Sequence, residues 1–128
     1  MLYTSNYARQ ANNPKSVAIS AFPPKWYTGR RYPLLAPTWE LVEKFKYNNM
    51  TEQEYTEQYL QLLTQRKVDP YSIIEKFGDE TILLCYESPN LFCHRHLAAG
   101  WIMKHTGIIV REIEDIKIEK SLDEFFTF

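Results

Sequence analysis

The residues of this chain best suited to chemistry fall in one stretch, Leu83-Leu-Cys-Tyr-Glu-Ser-Pro-Asn-Leu-Phe-Cys-His-Arg-His-Leu-Ala-Ala99. An apolar strand ends near Cys85, a Ser88-Pro-Asn90 turn follows, and Cys93, His94, Arg95 and His96 then open a helix. The first turn of a helix presents unpaired backbone N–H groups and the positive end of the helix dipole, which together favour an anion. Arg95 adds a forked set of donors suited to phosphate or carboxylate, with His96 beside it. The same field lowers a thiol's pKa and favours the thiolate of Cys93. Two uses of one place follow. The first is an anion site built on Arg95 and His96. The second is a nucleophilic Cys93 with His94 or His96 as base and Glu87 orienting or protonating, as in a cysteine-dependent hydrolase or transferase.

Other site types fit less well. Cys93 and His96 lie three apart on one helix face, with Cys85 or Glu87 able to approach from the strand end. There is no Cys-x-x-Cys or His-x-x-x-His pair, however, and an arginine beside the candidate ligands opposes a cation, so no metal or other cofactor is expected. The position six beyond Cys85 is Leu91, which excludes a phosphate loop of cysteine, five residues and arginine. Four glycines in the whole chain leave no glycine-rich phosphate loop.

A second segment, Phe22-Pro-Pro-Lys-Trp-Tyr-Thr-Gly-Arg-Arg-Tyr-Pro33, interleaves aromatic rings with cations. Trp26 and Tyr27 offer stacking faces, and Arg30 and Arg31 reach for phosphate, a combination used on nucleotides and single strands. Its prolines and Gly29 argue against regular structure between residues 21 and 37. Because it follows a strand, it is expected to share a rim with the Cys93–Arg95 turn and to close over it.

The elements that must position these residues read as follows. Leu2–Thr4, Val17–Ser20, Thr81–Tyr86 and Ile108–Val110 with Ile113 are strands. Thr38 caps a helix to about Tyr47, and Thr51-Glu-Gln-Glu54 is a capping box before a helix carrying Tyr55, Tyr59, Leu62 and Leu63 at helical spacing. Asp69-Pro70 begins a short helix ending at Gly78, and a helix from about residue 93 to Thr106 stops at Gly107. Strand, helix and strand over 81–113 make one βαβ unit. The expected architecture is therefore α/β: a single three-layer domain with a small, mostly parallel sheet flanked by helices. Residues 1–113 form the core, and 114–128 are a C-terminal extension packing on it.

A chain of 128 residues is the size of one domain and buries enough surface to fold without disulfides. Its composition, 45% hydrophobic and 24% charged, excludes a disordered or fibrous chain. No apolar run spans a bilayer and no secretion signal opens the chain, so a soluble cytoplasmic protein without a membrane partner is expected. The net charge of −1 conceals an uneven distribution. Residues 1–39 hold Arg9, Lys15, Lys25, Arg30 and Arg31 and no acid. That balance favours a small anionic ligand such as a nucleotide over a nucleic-acid duplex, which calls for a strongly basic domain. A homodimer stays open.

The run Leu84-Cys-Tyr-Glu87 followed by Cys93-His-Arg95 resembles a bacterial and phage family known as domain of unknown function 488. Its hallmark is a strand ending Leu-Cys-x-Glu and then Cys-His-Arg opening a helix. The resemblance extends over most of residues 1–113, with Leu2-Tyr-Thr4 similar to the family's first strand and Val17-Ala-Ile-Ser-Ala-Phe-Pro23 to its second. It implies a small α/β fold and a shared site. Ala18 and Ser20 stand where the family's second strand has an acid and an arginine, Ser5-Asn6 replaces a glycine turn, and Glu112-Ile113 ends the last strand where a histidine is common. Those departures imply a site that has lost polar residues, which admits a non-catalytic reading: a phage or mobile-element protein that sequesters a host molecule.

Overall fold

The computed structural model describes residues 1–87 and 91–113. The chain runs β1 (Leu2–Asn6), α1 (Tyr7–Gln10), β2 (Ser16–Ala18), β3 (Arg30–Arg31), a 3-10 turn (Pro33–Leu35), α2 (Trp39–Tyr47), α3 (Glu52–Gln65), α4 (Ser72–Phe77), β4 (Ile82–Cys85), α5 (His94–Thr106) and β5 (Val110–Glu112). The five strands form one sheet in the order β3-β2-β4-β1-β5, and every pairing is parallel. Sequence led us to expect a mostly parallel sheet; among the described residues it is entirely so. The α/β class holds. The expected C-terminal extension lies outside the described residues.

The pleat sorts the core. Val17 and Leu83 face one side with Leu2, Ile19 and Val110, where they meet Leu41 of α2, Tyr55, Tyr59 and Leu63 of α3, Ile73 of α4 and Ala98 and Ile102 of α5. Ala18, Ile82 and Leu84 face the other side, against Tyr7 of α1 and Tyr27. β2 and β4 are buried along their whole length, which is why the latter reads as a continuous apolar run. After β1 the chain crosses towards the β3 edge, and after β4 it crosses back towards β5. Right-handed crossovers made in opposite directions must use opposite faces. The helix layer from α2 to α5 accordingly covers one face, and the short α1 with Tyr27 covers the other.

Local signals account for most element ends. The Thr38 hydroxyl accepts from Leu41 N–H, and the Thr51 hydroxyl accepts from Glu54 N–H. Gly107 ends α5 with φ +74°, a left-handed conformation that glycine adopts without penalty. Two expectations need correction, and one element is additional. Residues 21–37 contain β3 and a 3-10 turn, because Arg30–Arg31 can pair with the edge of β2 that β4 leaves open, between the prolines. Asp69 does not cap α4 directly; its carboxylate accepts from Tyr71 N–H and shapes the turn before a helix that starts at Ser72. The connection after β1 holds the helix α1, whose N-cap Asn6 accepts from Arg9 N–H through its side chain. Its four residues are too few to carry an apolar periodicity.

Candidate functional site

The carboxyl ends of β1, β2, β4 and β5 share one rim, and ligands of open α/β sheets gather at such ends where the direction of crossing reverses. Cys85 closes β4, Glu87 lies two residues on, and Cys93 is the N-cap of α5, which places His94, Arg95 and His96 in its first turn. Cys93 makes no side-chain capping bond. The sulfurs of Cys85 and Cys93 meet in the arrangement of a disulfide, with their Cα atoms 7.8 Å apart. Cys85 Sγ also lies 3.3 Å from Glu87 Oε2.

Arg95 is wholly buried, and its donors are committed within the protein. Nε and Nη2 donate to Glu112 Oε2 at 3.2 and 3.0 Å, while Nη1 donates to the Glu87 carbonyl at 2.8 Å and to Cys85 Sγ at 3.0 Å. Nη1 also stands 3.8 Å from Cys93 Sγ. This corrects the picture of Arg95 as a fork open to an anion at the helix start. A guanidinium at the first turn is desolvated as α5 packs on the sheet, and it needs a buried carboxylate, which Glu112 supplies. His96 turns the same way, with Nε2 3.7 Å from Glu112 Oε2.

His94 points oppositely. Its Nε2 lies 2.7 Å from the Ile19 carbonyl, a group that only accepts, so Nε2 carries the proton and Nδ1 presents its lone pair towards Cys93 Sγ at 4.0 Å. Burial pushes its pKa down to about 4, so the ring is neutral at physiological pH.

Beside these groups opens a cavity of 490 Å³ lined by Ser20, Ala21, Phe22, Pro37, Trp39, Val42, Phe45, Lys46, Glu52, Tyr55, Tyr86, Glu87, Leu91, Phe92, Cys93 and His94. Its walls are mainly aromatic and aliphatic, and Trp39 meets Phe22 edge to face with centroids 6.0 Å apart. Burial, reinforced by the Glu87 carboxylate, raises the Tyr55 phenol far above its ordinary pKa, so it remains a neutral donor.

The proline-rich loop does not close over this cavity as expected. Its first turn does contribute Phe22, whose carbonyl accepts from the Tyr86 hydroxyl. The rest of the loop runs back along the sheet to reach the start of β3, and Trp26, Tyr27, Arg30 and Arg31 do not line the cavity. Trp26 is exposed, and Tyr27 is buried on the opposite face, where its hydroxyl donates to the Arg30 carbonyl at 2.9 Å. Arg30 lies against the Phe77 ring at 5.1 Å, and its Nε donates to the Ser16 carbonyl at 3.4 Å. Arg31 is exposed on the edge strand.

Glu87, Cys93 and His94, singled out in the sequence, are brought together by the structure, whereas the share of α2 and α3 in the cavity and the pairing of Glu112 with Arg95 were not foreseen. Part of the walls comes from α2 and α3, whose apolar residues recur at the ordinary spacing of a core-facing helix. Glu112 carried one signal, a carboxylate ending an apolar strand. Among the described residues, no helix is long and apolar enough to cross a membrane. No curated protein and no solved structure matches the chain. The family model described as the active DUF488-N3 subclade, DUF488-N3a, matches residues 6–106, a span that holds Cys85, Glu87, Cys93, His94 and Arg95, and the chain belongs to that family.

Proposed function

We propose that the protein binds a small ligand carrying a planar ring and an anionic group, of nucleotide type, in the cavity at the start of α5. The observation that carries this reading is the cavity's composition. A volume of 490 Å³ suits a ligand of that size, and Phe22, Trp39, Phe45, Tyr86 and Phe92 offer faces for a ring. Lys46 and the N-terminal turn of α5 offer positive groups for an anion, beside the carboxylates of Glu52 and Glu87 on the same walls. In this reading Arg95 fixes the shape of the rim, and Lys46 takes the cationic role that the sequence assigned to Arg95, Arg30 and Arg31.

Thermal-shift measurements with mononucleotides, dinucleotides and short oligonucleotides test the reading. A nucleotide is expected to stabilise the wild type, with the shift lost in Trp39→Ala and reduced in Lys46→Gln. No shift with any probe, or a shift that both variants retain, overturns it.

A second reading, covalent catalysis by Cys93, is favoured by one observation: its sulfur faces the cavity beside a histidine nitrogen that lacks a proton. It requires the thiol to be reduced. It predicts a substrate-derived adduct on Cys93 detectable by mass spectrometry, and turnover that survives in Cys93→Ser opposes it.

A further inference from the structure

We propose that Cys85, Cys93 and His94 form a zinc site whose remaining coordination position opens into the cavity. The inference does not depend on the identity of any organic ligand. Both sulfurs and a histidine ring nitrogen lie within 4.8 Å of one another, and all three residues are buried. Two sulfurs and one imidazole nitrogen are the donor set that zinc takes in preference to harder cations.

The surroundings are those of a ligand set. Because Nε2 of His94 donates to the Ile19 carbonyl, Nδ1 is left as the ligating atom, and an N–H held by a backbone carbonyl is the usual support of a zinc-bound histidine. Arg95 Nη1 approaches Cys85 Sγ at 3.0 Å and Cys93 Sγ at 3.8 Å, so one donor serves both sulfurs in the thiolate form. The objection that an arginine repels a cation is met by Glu112, which pairs with the same guanidinium at 3.0 Å. Two thiolates then balance a divalent ion beside a neutral pair. Binding is written as two thiols and Zn²⁺ giving a zinc dithiolate and two protons.

Spacing points the same way. The Cα atoms of Cys85 and Cys93 are 7.8 Å apart, beyond the roughly 7 Å at which a relaxed disulfide still closes. An ion bonded to each sulfur at about 2.3 Å, tetrahedrally, holds the two about 3.8 Å apart, so the sulfurs part from their bonded arrangement on reduction and use the wider backbone separation. Cys93 and His94 line the cavity, so the fourth position falls to a water facing a bound ligand. Three protein ligands and one open position are the arrangement of an open zinc site, in which Cys93 is a metal ligand and not a nucleophile.

The test is metal content of the full chain, purified under reducing conditions without chelator and measured by inductively coupled plasma mass spectrometry. About one zinc per chain is expected, falling at least tenfold in a Cys93→Ala, His94→Gln double variant whose circular dichroism matches the wild type. In case that variant fails to fold, the wild type is stripped with chelator and reloaded with Co²⁺. Thiolate-to-cobalt charge-transfer bands should appear, and zinc should slow alkylation of Cys85 and Cys93 at least tenfold. The proposal is overturned by reduced wild type that neither carries zinc nor takes up cobalt. It is equally overturned by zinc that persists in the folded double variant, or by a Cys85–Cys93 disulfide that reductant and zinc together do not replace. Nucleotide thermal shifts run on both zinc-loaded and stripped protein separate this outcome from that of the proposed function.

Discussion

Replacing Glu112 by Gln keeps the shape of the side chain and removes its charge, leaving the Arg95 guanidinium buried without a counter-ion. The pair is sealed, with side-chain exposures of 0% for Arg95 and 5% for Glu112, so water cannot substitute for the lost carboxylate. Breaking a buried pair from one side costs about 3–5 kcal/mol. For a domain of this length each kcal/mol lowers the melting temperature by about 4 °C, so a fall of roughly 12–20 °C is expected. Removing both charges, with Arg95→Met and Glu112→Leu together, should recover most of that loss. It should not recover all of it, because the Glu87 carbonyl loses the donor it has at 2.8 Å, at a cost of about 1–3 kcal/mol. The assay is urea unfolding of the wild type, Glu112→Gln, Arg95→Met, Glu112→Leu and the double variant, followed by circular dichroism, with the m-value checked for constancy. A Glu112→Gln cost below about 1 kcal/mol, or a double variant as unstable as the two singles added, would refute the claim that Arg95 is held by Glu112.

Trp39 lines the cavity and Trp26 does not, so a bound nucleotide should change the fluorescence of wild type and Trp26→Phe alike, and the change should vanish in Trp39→Phe. Thr51→Ala removes the hydroxyl that accepts from Glu54 N–H and should cost about 1 kcal/mol in chemical unfolding. Gly107→Ala has space for its Cβ but must hold φ at +74°, so it should cost about 1–2 kcal/mol, with Gly107→Asn costing less. Tyr59→Phe deletes a buried hydrogen bond of 2.6 Å to the Leu35 carbonyl and should lower stability by about 1–3 kcal/mol, measured in the same way.

The caps at Thr38 and Thr51 and the stop at Gly107 were legible in the chain alone, because each depends on backbone groups at most four residues away, and the strand ending at Cys85 was legible from its continuous apolar run. The same is true of the placing of Cys93, His94 and Arg95 at a helix start. Their chemistry was not legible in that way. Arg95 looks like an anion fork by its position, and it becomes a buried half of an ion pair only because β5 settles beside β1 and brings Glu112 within 3.0 Å. Arg30 and Trp26 follow a strand as a lid would, yet the pairing of Arg30 with Val17 draws their loop back along the sheet and away from the cavity. Trp39, Phe45 and Tyr55 of the cavity walls come from helices separated from Cys93 by more than thirty residues, and the meeting of Cys85, Cys93 and His94 depends on how α5 packs on β4 and reaches the Ile19 carbonyl beyond β2. Capping and periodicity are settled within a turn or two of backbone, whereas the protonation, pairing and exposure of a side chain depend on the neighbours that strand order brings to it.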